Sequence, residues 1–496
     1  MKQQNFPHAD FKYSLDFLKR FNSLQFEGKP LSHQKIFQNY NVWIFFQTRL
    51  FFNDIKSFSE SRLFLVKKKN TFRIEIQNIF LSSFAFIVSV LSIFVAVIKR
   101  KKVFVYGIDK TNSSVFSNDS RLDSVYENLK KRDISFLEIF HTTFDRTLVQ
   151  NAFRRKRLAF YLKSIDFLYP ALLFLGFTKS TERNIENIDF SSFSKDEIDF
   201  AKSLVQRYLG TIDKVEFRVR VLQKIIKVFR PKMILLIDNT RDYWELVLAT
   251  KLAGVSCYAF QHGHFTKYHV GWLGDSTFEG IIIKPDTLFV WSDFWKGELI
   301  RLKTYFTEDS IKVGGFKNKI LKNTQKNISL DDKNISVLIP FEVDSNKSEV
   351  KVYIDTLLAC RDIKIFFKVR TDVDKKWQLD CYQIGENYHK NLIIISSIEK
   401  YLEEIDVVVG TYSTFLYDMI AYEKPIAILK TESDFGEGLI INGFAEAVEV
   451  DSLCNSIKKI AKTDSETLVK RKERLFGKDP LLLYDTVDSL MRSSGL

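Results

Sequence analysis

Three stretches of this chain gather residues able to handle a phosphorylated ligand. In Val407 to Leu429 (VVVGTYSTFLYDMIAYEKPIAIL) an apolar run ends at Gly410 and is followed by Thr411, Ser413 and Thr414. A glycine there allows close approach to the backbone, and a hydroxyl at a helix start can cap it while free amides face an anion. The pattern predicts a phosphate cradle without a Walker lysine, although an ordinary capped helix after a strand reads the same. Asp418, four residues beyond Thr414, falls on the same helix face, where a carboxylate can hold ribose hydroxyls or simply meet solvent.

The second stretch runs from Lys232 to His269. Asp238 and Asn239 follow one apolar run, and Gln261, His262, Gly263 and His264 follow another, with His269 close behind. Three of the seven histidines of the chain fall here. His262 can take a proton from an acceptor hydroxyl, or as a cation steady a leaving phosphate. Asp238, Asn239, Gln261, Gly263, His264 and His269 are candidates for the acceptor side, with plain polar loop residues as the alternative. No Cys or Glu stands at metal spacing from these histidines, so neither a metal nor a cofactor is expected. In the third stretch, FFKVRTD, Lys368 and Arg370 alternate toward one face and can neutralise a diphosphate; a solvated strand end is the alternative.

To meet a ligand, these residues must follow strands of parallel sheets. Apolar runs alternate with helical patterns in two series, which predicts βαβ units. The first has strands at Val103 to Ile108, Lys232 to Ile237, Val255 to Phe260, Thr287 to Trp291 and Ile311 to Gly315. The second has them at Ile335 to Ile339, Ile363 to Lys368, Leu392 to Ile395, Val407 to Gly410 and Pro425 to Leu429. The polar stretch Lys317 to Asn334 reads as a linker. A chain of 496 residues exceeds what one core supports. The expected fold class is α/β, with an N-terminal helical, membrane-associated region (1–102) and two Rossmann-like domains (103–320 and 321–496) facing a cleft.

Ile79 to Ile98 (IFLSSFAFIVSVLSIFVAVI) carries no charge, with Lys67, Lys68 and Lys69 before it and Lys99, Arg100, Lys101 and Lys102 after it. Roughly 20 apolar residues suffice for a crossing helix, but basic clusters at both ends give it no direction. A helix lying in one leaflet with its cations on anionic lipid is favoured over a buried core helix. Tyr40 to Phe52 suits a membrane interface or a core equally. The net charge of +13 implies an anionic partner; positive residues spread over helices and linkers, without stacking aromatics among them, argue against nucleic acid. Four scattered cysteines indicate no disulfide frame and a reducing compartment.

The run IDNTRDYWELVLATKLAGVSCYAFQHGHFTKYHVGW, with KPDTLFVWSDFWKGELIRL and IKVGGFKNK after it, resembles bacterial surface-polysaccharide glycosyltransferases of GT-B fold. It is more distantly similar to the CDP-glycerol glycerophosphotransferases of teichoic acid synthesis. The resemblance implies a nucleotide-sugar donor and a glycan or lipid-linked acceptor, His262 near the acceptor or leaving group, Ser413 and Thr414 at donor phosphate, and Asp418 at ribose. It also implies metal-independent transfer on the cytoplasmic side of the inner membrane, in a peripheral or monotopic protein. Polyol phosphate transfer and a non-catalytic scaffold of polysaccharide assembly are the alternatives.

Overall fold

The computed structural model describes residues 10–37, 39–56, 58, 72–108, 120–141, 146–154, 158–175, 183–237, 243–273, 279–316, 334–371, 373–385, 388–432 and 434–496. They divide into two compact units, the first on Lys12–Ile55, Lys67–Asn318 and Asp479–Leu496, the second chiefly on Lys319–Lys478.

Among the described residues the first unit has a seven-stranded parallel sheet: β1 (Val103–Ile108), β2 (Phe136–His141), β3 (Ala159–Tyr161), β4 (Met233–Ile237), β5 (Ser256–Phe260), β6 (Thr287–Val290) and β7 (Ile311–Val313). The spatial order is β7-β6-β5-β4-β1-β2-β3. Chain direction across the sheet reverses between β1 and β4, the doubly wound, Rossmann-like arrangement. Met233 to Ile237 are all buried, as a strand covered on both faces requires, which is why it reads as an unbroken apolar run.

Residues Lys12–Ile55 belong to this unit rather than to a separate region, a correction to the 1–102 boundary. Val42, Trp43, Ile44, Phe46, Leu50 and Phe51 are buried, so the Tyr40 to Phe52 stretch is core. Trp43 and Phe46 set their rings edge-on to Tyr208 of the long helix Lys195–Phe229. Arg20 and Tyr13 both donate to the Glu197 carboxylate on that helix. The Arg20 hydrogen bonds, foremost, hold the Glu197 carboxyl well below the usual range.

The C-terminal helix Leu482–Ser493 also returns to this unit, so the second domain does not run to 496. Leu483, Val487 and Met491 join a core with Val125, Tyr126 and Leu129, and Asp488 pairs with Arg132. Gly315, at φ +91, permits the approach: a Cβ there would stand 2.5 Å from the Leu483 amide nitrogen.

Arg218, only 6% exposed, forks onto Glu245 at 2.7 Å and Asp166 at 2.9 Å, joining three elements of the unit. Removing one partner of a buried pair leaves the other charge uncompensated. Arg218→Met is therefore expected to cost about 3–5 kcal/mol in denaturant unfolding, and adding Glu245→Gln should recover part of it.

The second unit has, among its described residues, six parallel strands: β8 (Ile335–Pro340), β9 (Ile363–Lys368), β10 (Leu392–Ile395), β11 (Val407–Gly410), β12 (Ile426–Leu429) and β13 (Glu446–Val448), ordered β10-β9-β8-β11-β12-β13. This too is doubly wound, with the reversal between β8 and β11. Cys360 and Cys454 are joined as a disulfide across this unit, which corrects the expectation of unpaired cysteines; Cys257 and Cys381 are buried free thiols. The expected linker, Lys317 to Asn334, lies outside the described residues but for Asn334.

Candidate functional site

In the second unit, register brings the candidate residues to one sheet edge. Pro340 pairs with Lys368, Lys368 with Ile395, and Gly410 with Ile428, so β8, β9 and β11 all end at the carboxyl edge. Open α/β sheets bind ligands there, beside the strands where the order reverses.

That point is occupied by a residue the sequence reading passed over. Glu342, two residues beyond β8 and 4% exposed, accepts hydrogen bonds from the amides of Thr411 (2.8 Å), Tyr412 (3.1 Å) and Ser413 (2.8 Å), and from the Thr411 hydroxyl. The expectation that the Gly410 to Ser413 backbone stands open to a diphosphate is corrected: an internal carboxylate takes the amides an anion would use. Gly410 leaves room for it, since a Cβ there would lie 3.0 Å from Glu342 Oε1. Gly436 closes the other side, where a Cβ would meet the Thr411 carbonyl oxygen at 2.0 Å.

The loop after β8 is fixed as firmly. The Asp344 amide donates to the Tyr412 hydroxyl at 2.8 Å. Burial, then the nearby Asp344 and Glu342 charges, push the Tyr412 phenol well above its ordinary value. The buried Lys347 ammonium donates to the Val343 and Ser345 carbonyls, both at 2.7 Å. Two loops from neighbouring strands are thereby held as one rigid edge.

On that edge the helix Thr414–Ala421 begins, capped by Ser413, whose hydroxyl accepts from the Phe415 amide at 3.2 Å. The Lys368 ammonium lies 5.0 Å from the Phe415 ring centre, so a cation from the end of β9 meets the positive end of this helix. Arg370, exposed, is held through its backbone: Gln378 accepts from its amide at 2.7 Å and donates to its carbonyl at 2.8 Å. Asp418 sits one turn into the helix, and its charge adds to burial in raising the Tyr422 phenol. The Lys368 ammonium thus lies by the first turn of the Ser413-capped helix, and Arg370 stands two residues past the strand end.

In the first unit the histidine loop follows β5. Gln261, expected at the acceptor, is instead the peg that holds the loop. Its side chain donates to the Gly263 carbonyl (2.8 Å) and accepts from the Trp291 amide (2.9 Å), while its own carbonyl accepts from the Trp291 indole (3.0 Å). His262 is half-buried, 6.4 Å from the Trp272 ring, and Gly263 is buried. His264 and His269 meet edge to face at 5.3 Å, and His269 stacks on Trp272 at 5.0 Å.

Burial, then the neighbouring His262, pushes His264 down to about 3. Burial, then His264 and His262, holds His269 well below its ordinary value. Both are neutral at physiological pH. The Thr266 amide donates to His269 Nδ1 at 3.2 Å, which leaves the ring proton on Nε2. Asp238 and Asn239 lie outside the described residues, and among the described residues no cluster of His, Cys, Asp and Glu is arranged to hold a metal ion.

Glu342, Lys347, Gln378 and Tyr412 were the functional-edge residues missing from the sequence reading. Glu342 carried a usable signal: an acidic residue two positions past a mostly apolar strand.

The chain thus carries two doubly wound, Rossmann-like α/β units. No family model matches the sequence, and no curated protein does. Solved structures similar to it include the UDP complex of S. aureus MnaA, at 12% identity and TM-score 0.47, covering 80% of this chain and 97% of that one. The kitacinnamycin glycotransferase is similar at 12% identity and TM-score 0.45, covering 79% and 98%. A glycosyltransferase from Rickettsia africae is similar at 14% identity and TM-score 0.45, also covering 79% and 98%.

Proposed function

We propose that this chain is a glycosyltransferase whose second unit takes a nucleotide-activated sugar and whose first unit takes a surface-polysaccharide or lipid-linked glycan acceptor. The supporting observation is the Lys368 ammonium over the ring of Phe415, in the first turn of the helix that Ser413 caps, on the carboxyl edge of a doubly wound sheet. A cation beside a helix N-terminus suits a diphosphate. Since Glu342 holds the amides of the preceding turn, the phosphates are held by the Lys368 and Arg370 side chains, the Thr414 hydroxyl and the helix field, and Asp418 takes the ribose.

In the reaction the bond from the anomeric carbon to the phosphate oxygen breaks and the acceptor oxygen bonds to that carbon. In the first unit His262 is the candidate base for the acceptor proton; in the second, Lys368 and Arg370 are the candidate cations for the departing diphosphate. His262→Ala should lower turnover at least about 100-fold, the usual contribution of a positioned base, with the melting temperature unchanged. Retained turnover in the purified variant would remove His262 from the chemistry. Release of CMP from CDP-glycerol, with no sugar transferred from any nucleotide sugar, would reassign the chain to polyol phosphate transfer.

A further inference from the structure

The helix Phe72–Ile98 is inverted relative to one that faces water. Its buried positions, Leu81, Ala85, Ser89, Ser92 and Ala96, recur every three or four residues and are mostly small or polar. Phe80, Ile87, Val90, Leu91, Phe94, Val97 and Ile98 are exposed on the rest of its surface, Phe94 at 63%. A soluble helix buries the apolar stripe and shows the polar one.

Ser89 explains why the small face points inward. Its hydroxyl oxygen accepts from the Tyr161 amide and from the Ser164 hydroxyl, both at 2.9 Å. The helix is thereby tied to β3, one of the two edge strands of the first unit's sheet. Such a helix cannot stand free in a bilayer as an isolated span.

The apolar surface continues past the helix. Phe153 and Phe167, themselves exposed, set their rings 6.4 Å from Phe84 and 5.2 Å from Phe86. Contiguous apolar surface of this extent marks an interaction site. Lys99, Arg100 and Lys102, all exposed, close the helix at its carboxyl end.

We infer that this face is a docking surface for an anionic phospholipid bilayer, with the helix in the plane of the interface. The combination selects the occupant: the apolar side chains enter the acyl boundary while the basic cluster meets lipid phosphates at headgroup depth. The inference is independent of which reaction the chain performs.

Sedimentation of the purified full chain with vesicles tests it. Phosphatidylglycerol-containing vesicles should carry the protein down, and phosphatidylcholine vesicles should carry at least about tenfold less, because the electrostatic part is lost. The triple variant Ile87→Ser, Leu91→Ser, Phe94→Ser should stay in the supernatant with its melting temperature unchanged, since all three side chains are exposed. Lys99→Glu with Arg100→Glu should lose the preference for anionic vesicles. Equal binding by the triple variant and the parent overturns the inference. So does a concentration-dependent dimer, abolished by the triple variant, in a protein that ignores vesicles.

Discussion

Glu342→Ala should lower the melting temperature by about 10 °C and abolish binding of any nucleotide that the parent binds. The substitution strips the acceptor from three amides and a hydroxyl in a buried turn. An orphaned buried donor costs about 1–3 kcal/mol; water entering the vacated space offsets part of this, leaving about 4 kcal/mol in all. In a unit of this size each kcal/mol moves the midpoint by roughly 2–4 °C. Glu342→Gln keeps the volume but turns an NH2 toward donors, so it should fall between alanine and the parent. Differential scanning calorimetry and nucleotide titration on the same samples separate the two effects. A parent-like melting temperature in the alanine variant would show that the turn holds its shape without the carboxylate.

Acidification should destabilise the first unit well before its carboxylates titrate. His264 and His269 have folded-state values far below the ordinary 6.5. Their stabilising contribution is complete above pH 6.5 and is lost as the pH falls toward the folded-state value, about 3 for His264. The unfolded chain binds the protons that the folded one refuses, so unfolding becomes easier as the pH drops. A histidine that stays neutral costs about 1.4 kcal/mol per pH unit below its ordinary value, so His264 alone loses about 2 kcal/mol by pH 5 and His269 adds to it in the same direction. Glu197, with its carboxyl held low by Arg20, adds its own loss only below about pH 4.5. Melting temperatures measured from pH 7 to 5 should therefore fall steeply in the parent and much less in a His264→Leu, His269→Leu variant. Matching slopes would mean that the loop opens and hydrates its imidazoles.

The strands that position these residues were legible wherever at least four apolar residues ran together. Ile363 to Lys368, Leu392 to Ile395 and Val407 to Gly410 stand where the apolar runs placed them. Those missed were β2, where buried Glu138 and His141 interrupt the run, and β3 and β13, at three residues each too short to show a period. The N-terminal aromatics were ambiguous because a core and a membrane interface select the same side chains; only contacts such as Trp43 on Tyr208 decide.

The candidate site was half legible. Ser413 does cap its helix, as its residue type implied, whereas the approach of Lys368 to Phe415 was not foreseen from alternation along the strand. The fate of the turn amides was not legible, because their partner, Glu342, lies 69 to 71 residues away and is set by sheet order, not by local pattern. Gln261 misled for a similar reason: a polar residue past a strand end is equally suited to meeting a ligand and to tying down the loop that does.

The most direct test is the melting temperature of the second unit's transition with a panel of nucleoside diphosphates, nucleotide sugars and CDP-glycerol. One nucleotide-sugar class should raise it by several degrees, as a ligand bound only to the folded state must. Lys368→Ala with Arg370→Ala should erase that rise without lowering the unliganded midpoint. A panel in which no nucleotide shifts the transition, or a shift that survives loss of both cations, would contradict a diphosphate held at this sheet edge.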